Sequence, residues 1–261
     1  MKKLILSLVT MVSLAFAANA VTNMCVKTTD GNVVEFDMEN VAEVYYNEVA
    51  ETIGDQGVTV SGKVGIYTYV DLGLPSGTKW ATYNVGATKP AEDGDYFAWG
   101  ETKPKEEYGW STYKWCKGSD DSMTKYCTDS KFGTVDNKTV LEAEDDAATA
   151  NWGRAWRMPT AQEIDELLNG CSWKWVEDFN GSGVNGRLGT SKKNGATIFL
   201  PAAGCRDDTG LYLAGNYGSY WSSSLNESGS YYASYLYFRS RYILPGNESR
   251  NYGRSVRAVL R

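Results

Sequence analysis

Histidine is absent from the 261 residues, and its absence limits the available chemistry more than any residue present extends it. No other side chain both takes up a proton near neutrality and offers a neutral nitrogen to a metal. Ser-His-Asp and Cys-His nucleophilic catalysis, and every histidine-containing zinc or haem site, are therefore excluded. The thiol nucleophiles that remain are five cysteines. None forms a Cys-x-x-Cys pair, so neither a zinc knuckle nor a thioredoxin-like redox site is indicated. Cys116 and Cys127 bracket a Gly/Ser/Asp-rich loop and are a candidate disulfide, a small ring worth about 3 kcal/mol in the chain-entropy view. Cys171 and Cys205 are either a second pair or two buried thiols, and the odd count leaves Cys25 over.

The carboxylates offer little more. Glu142, Glu144, Asp145 and Asp146 have the oxygen chemistry of a calcium site, yet they also fall where the start of a helix favours negative charge. Asp207 and Asp208, beside Arg206 in a Gly-flanked stretch, read as solvated turn residues rather than a catalytic acid pair. Trp152, Trp156, Trp173 and Trp175 have the rings of a sugar platform, but their place in or beside helical segments reads as core. No catalytic residue, metal or cofactor is assigned.

Recognition chemistry is concentrated near the C-terminus. Between Asn216 and Arg254 there are 8 Tyr, 9 Ser, 4 Asn and 4 Gly, the residue types that dominate antibody loops. Tyrosine gives a large amphipathic contact at low entropic cost, and Ser, Gly and Asn give adaptable hydrogen bonding. Arg239, Arg241, Arg250 and Arg254 add forked donors suited to carboxylates and to stacking on rings. In the run from Ser234 to Arg239, a strand with Leu236 and Phe238 inward turns Tyr235, Tyr237 and Arg239 to the other face. These three, with Tyr217, Arg241, Tyr242, Asn247, Asn251 and Tyr252 from adjoining segments, are the candidate ligand-binding residues.

The elements that must position them form a simple order. Lys2 and Lys3, the apolar run Leu4 to Phe16, and Ala18-Asn19-Ala20 make residues 1–20 a signal peptide with a small-x-small cleavage site. Mature chain then begins at Val21, exported to the periplasm, cell surface or exterior, with no membrane span. Loss of the two lysines takes the net charge from −6 to −8, and an acidic chain is a poor partner for nucleic acid phosphates. Residues 21–46 form a small β-rich unit around an Asp30-Gly31 turn, residues 47–63 a linker, and residues 64–261 the main domain. Strand-like runs fall at Tyr67 to Leu72, Lys79 to Val85, Tyr96 to Trp99, Thr197 to Leu200, Tyr220 to Ser223, Tyr235 to Phe238 and Ser255 to Leu260. Two helices are expected between them. One covers Glu144 to Asn151; the other opens on the capping box of Thr160 and Glu163, with Ile164, Leu167 and Leu168 on one face and Gly170 as stop. Two helices among short strands predict an α+β domain.

Six segments, taken together, carry a family resemblance: Val70-Asp71-Leu72-Gly73-Leu74-Pro75-Ser76-Gly77-Thr78-Lys79-Trp80-Ala81, Tyr96-Phe97-Ala98-Trp99-Gly100-Glu101, Trp156-Arg157-Met158-Pro159-Thr160, Phe199-Leu200-Pro201-Ala202-Ala203-Gly204, Tyr220-Trp221-Ser222-Ser223-Ser224 and Gly253-Arg254-Ser255-Val256-Arg257-Ala258-Val259. Across nearly all of residues 68–261 the chain resembles the Fibrobacter succinogenes major paralogous (FISUMP) domain family, common in exported proteins of gut Bacteroidetes. The resemblance implies a C-type-lectin-like fold, akin to the formylglycine-generating-enzyme group and to variable proteins of diversity-generating retroelements. It makes Trp221, Ser222, Ser223 and Arg257 scaffold positions beneath a changeable binding surface. No Glu-Pro-Asn or Trp-Asn-Asp run is present, so calcium-dependent sugar binding is not implied. The expected function is an exported, non-enzymatic protein that binds a protein or glycan ligand. A structural or adhesive envelope subunit, or an enzyme of the formylglycine-generating kind, is the alternative.

Overall fold

The computed structural model describes residues 23–27, 33–37, 51–52, 57–226 and 228–260. In chain order the strands are β1 (Asn23–Lys27), β2 (Val33–Asp37), β3 (Glu51–Thr52), β4 (Thr59–Val60), β5 (Gly62–Val64), β6 (Tyr67–Asp71) and β7 (Lys79–Ala81). Helix α1 (Ala147–Trp152), β8 (Trp156–Arg157) and α2 (Ala161–Gly170) follow. The second half holds β9 (Cys171–Val176), β10 (Gly186–Ser191), β11 (Thr197–Pro201), β12 (Cys205–Asp207), β13 (Gly210–Tyr212), β14 (Gly218–Leu225), β15 (Tyr232–Phe238), β16 (Ile243–Ser249) and β17 (Val259–Leu260).

The chain divides into two compact units, Met1–Asn47 and Glu48–Arg261. In the first, β1 and β2 pair antiparallel, Lys27 opposite Val33. The expected signal peptide, the expected Asp30-Gly31 turn, the side chain of Cys25 and the element expected at residues 40–46 lie outside the described residues. In the second unit the expected linker is partly built into the domain. β3 pairs with β4, β5 pairs with β6, and Val58 is buried against Phe179 and Phe199. Thr197 also ties this segment down, its N donating to Thr59 Oγ1 at 2.9 Å and its Oγ1 to Gly57 O at 3.1 Å.

The α+β, C-type-lectin-like expectation is overturned. Among the described residues there are two α-helices, six and ten residues long, against seventeen strands in antiparallel sheets, so the molecule is mostly β. The helix signals were real but local, and the Gly/Asn/Asp-punctuated remainder pairs with itself. The largest sheet has the order β5-β6-β7-β17-β8, and two three-stranded sheets have the orders β11-β10-β9 and β14-β15-β16. Some expected strands shrink to contacts. Tyr96 to Trp99 makes an isolated bridge between Phe97 and Arg254, and only Val259 and Leu260 of the last run are in a strand. These apolar runs are buried coil, satisfied by scattered partners such as Trp99 N to Arg250 O at 2.9 Å.

The helices sit where their caps dictate. Thr160 accepts from Glu163 N while the Glu163 carboxylate accepts from Thr160 N at 2.8 Å. Ile164 and Leu167 are buried in a core with Trp80, Leu236 and Phe238, while a second core gathers Trp99, Trp156, Trp221 and Tyr235. Trp152 is half-buried against that second core, and Trp173 and Trp175 against the first, so all four suspected platform tryptophans pack. α1 begins three residues later than expected. Asp146 caps it by accepting from Thr149 N at 2.9 Å, whereas Glu142, Glu144 and Asp145 precede it and surround Lys125 Nζ at 2.5, 3.4 and 2.6 Å. Their oxygens lie within 4.8 Å of one another, but an ammonium already occupies the place between them.

Candidate functional site

The β14-β15-β16 sheet turns two chemically different faces outward from its strands. Leu236 and Phe238 of β15 enter the core that holds α2, and alternation puts Ala233, Tyr235 and Tyr237 on the other face. There Tyr235 lies opposite Trp221 of β14 and Gly246 of β16, and Tyr237 lies opposite Ser219 and Leu244. Gly246 makes the arrangement feasible: a Cβ at that position would stand 2.8 Å from both the Tyr235 and the Tyr237 ring. The two rings stack at 5.2 Å with 18° between their planes. Tyr242 stands edge-on to Tyr237 at 5.7 Å.

Arg254 forms the floor. It is 2% exposed, with its guanidinium 4.3 Å from the Tyr235 ring centre and 5.1 Å from that of Trp221. Its Nη2 pairs with Glu248 Oε2 at 3.5 Å, and its Nη1 donates to Tyr217 Oη at 3.4 Å. Tyr217 and Tyr235 join hydroxyls at 3.3 Å, and Arg239 extends over the Tyr217 ring at 5.6 Å. The short β12–β13 hairpin raises the opposite wall, with Cys205, Asp207, Tyr212 and Leu213. The result is an open cleft of about 440 Å³ lined by these residues and Tyr252.

Burial raises the Tyr235 hydroxyl above the ordinary tyrosine range, and the bond from Tyr217 adds to this. Burial likewise raises Tyr252. The Cys205 thiol is pushed up by burial, which outweighs the pull of nearby Arg254. Cys171, in the core, is raised to about 11 for the same reason. Neither thiol has the depressed pKa of a reactive nucleophile.

Six of the nine candidate residues line this cleft: Tyr217, Tyr235, Tyr237, Arg239, Tyr242 and Tyr252. Tyr235 faces it as expected but is only 7% exposed, packed against the Arg254 guanidinium. The other three fall elsewhere. Arg241 is exposed in the β15–β16 turn. Asn247 lies opposite Ser234 and binds its hydroxyl at 3.0 Å on the face that meets α2. Asn251 is buried, its Nδ2 donating to Tyr108 O at 3.2 Å, so it is a structural polar group and not a contact residue. Arg250 is wholly buried too, bonded to the carbonyls of Lys125, Tyr126 and Ser230 and to the Tyr113 hydroxyl. Cys116 and Cys127 are free thiols. Their sulfurs donate to Trp110 O and Asp129 O at 3.1 and 3.2 Å, and the loop between them is closed by backbone bonds such as Lys117 N to Ser122 O.

The hairpin wall had gone unseen. Glu248 shares the Tyr235 face by simple alternation, but Asp207, Tyr212 and Leu213 carry no strand pattern, and only the fold brings them to the tyrosines. The fold and the cleft together define a mostly antiparallel β domain with an open tyrosine-arginine surface. A family model described as a domain of unknown function (DUF8237) matches residues 188–259, a stretch that includes every residue lining the cleft. No curated protein and no solved structure matches the chain.

Proposed function

We propose that this is an exported, non-enzymatic binding protein whose tyrosine-arginine cleft recognises a protein or glycan. The observation that carries the reading is the gathering of six tyrosines and two arginines on one concave surface, with Tyr212 and Tyr242 left 52% and 37% exposed. Large rings at that exposure cost the free protein apolar hydration and gain contact when a ligand covers them. Chemistry finds less support. The cleft thiol is raised by burial, and of the two cleft carboxylates Glu248 is engaged by Arg254. The basic start, apolar run and Ala18-Asn19-Ala20 of the N-terminus support export. The FISUMP resemblance supports a stable scaffold that displays a variable surface.

The experiment is a screen of the purified protein against glycan and extracellular-protein arrays, beside a Tyr237→Ala/Tyr242→Ala variant checked for native circular dichroism. Signals present for the wild type and lost in the variant are expected. A ligand bound equally by both would place recognition outside the cleft and end this reading.

A further inference from the structure

Two features of the cleft rim go beyond the tyrosines. The first is apolar. Leu213 and Leu244 are 47% and 45% exposed. Leu213 lines the cleft, and Leu244 lies opposite Tyr237. Leu213 also has φ +59°, left-handed backbone that a leucine rarely adopts. Its carbonyl accepts from both Asn216 N and Tyr217 N at 3.0 Å, so the turn that positions Tyr217 holds this side chain outward. Strain concentrated at a displayed residue is a mark of binding surfaces.

The second feature is charge. Arg239 and Arg241 are exposed in the β15–β16 turn, and Arg187 supports that turn from beneath, its Nε and Nη2 donating to Arg239 O at 3.2 and 2.8 Å. Among the described residues none of these three guanidinium groups has an ion-pair partner. Within the cleft Arg239 and Arg254 balance Asp207 and Glu248, so the unpaired exposed charge is that of Arg239 and Arg241 on the turn at its edge, on a chain of net charge −6.

Resting on the function proposed above, we infer that the ligand is a polypeptide segment that presents an acidic side chain to Arg239 and Arg241 and an aliphatic side chain to Leu213 and Leu244. A sugar chain satisfies the arginines if it is acidic, but it carries no branched aliphatic group to cover the two leucines. A peptide supplies both in neighbouring residues, and forked guanidinium groups suit a carboxylate.

The test pans a displayed library of random 12-residue peptides against the purified protein, with an array of neutral, sialylated and uronic-acid glycans in parallel. Selected peptides are expected to pair Asp or Glu with Leu, Ile or Val. Their affinity is expected to fall about tenfold or more in Arg239→Ala/Arg241→Ala, as for a lost charge-assisted contact, and to weaken with added salt. Leu213→Asn, which suits the same backbone, is expected to weaken the peptides while leaving the fold intact. Acidic glycans bound in a Tyr237-dependent way, with no peptide enriched, would overturn the polypeptide inference and leave the cleft reading standing. Peptides without acidic residues, or indifferent to the arginine variant, would overturn it as well. No ligand of either class, or ligands indifferent to Tyr237→Ala, would bring down the cleft reading and this inference with it.

Discussion

Arg254 shows how one residue ties the site together. Its guanidinium stands 4.3 Å from the Tyr235 ring centre, bonded to Tyr217 and paired with Glu248, so three parts of the cleft share one support. Arg254→Ala is expected to lower stability by about 2 kcal/mol, since it leaves Glu248 without its partner and opens a void between rings. Arg254→Lys is expected to recover little, because an ammonium cannot stack on Tyr235 and reach both partners. Urea denaturation of the three proteins measures this. Leu213 carries the opposite expectation. Leu213→Gly should raise stability by about 1 kcal/mol, because the backbone is left-handed there and the side chain is half exposed, while ligand affinity falls; a loss of stability would mean that Leu213 packs more than its exposure indicates.

At the scale of elements, α2 is anchored by charge as well as by its cap. Glu163 accepts from Arg157 Nη1 and Nη2 at 2.6 and 2.5 Å and from Thr78 Oγ1 at 2.8 Å. Burial opposes ionisation of Glu163, but these bonds and the Thr160 amide outweigh it and hold the carboxyl at about 2 against an ordinary 4.5. A depressed folded-state pKa contributes stability that is present above the unfolded value and lost as pH falls through the folded one. The wild type should therefore lose about 2 kcal/mol between about pH 4.5 and 2, beyond what Glu163→Gln loses over the same window. Thermal melts across that range compare them. Gly246 is the matching point in β16. Gly246→Ala would press on Tyr235 and Tyr237 and is expected to cost about 1–3 kcal/mol.

The same elements explain what sequence reveals. α2 was legible because cap, period and stop agree, and the Tyr235 face followed from alternation against Leu236 and Phe238. Composition points to the stretch that supplies most of the cleft but does not single out the residues that line it. Arg241, Asn247 and Asn251 have the same residue types as true lining residues, and only register and burial separate them. The β12–β13 wall was hidden because Arg206-Asp207-Asp208-Thr209-Gly210 reads as one turn, whereas only Asp208 and Thr209 make it and the strands on either side are three residues each.

For the whole molecule, two clear helix signals stand out in the sequence above many weak strand signals, which is why the α+β expectation fails. Short strands separated by Gly and Asn announce themselves poorly, yet they make most of this fold. The same global view bears on the cysteines. With Cys116, Cys127, Cys171 and Cys205 all free, reductant is expected to leave the unfolding midpoint of the domain unchanged; a drop of several degrees would indicate a bridge. The central claim is that the tyrosine-arginine cleft is the recognition surface. It is tested most directly by titrating the array-identified ligand, by calorimetry, against the wild type, a cleft variant Tyr237→Ala/Arg239→Ala/Tyr242→Ala and a control variant Lys103→Ala/Glu106→Ala on an exposed loop outside the cleft. The account predicts that Kd rises at least about a hundredfold in the cleft variant, as when several aromatic and arginine anchors are truncated, and stays within twofold of wild type in the control. Equal affinity of all three proteins would contradict it.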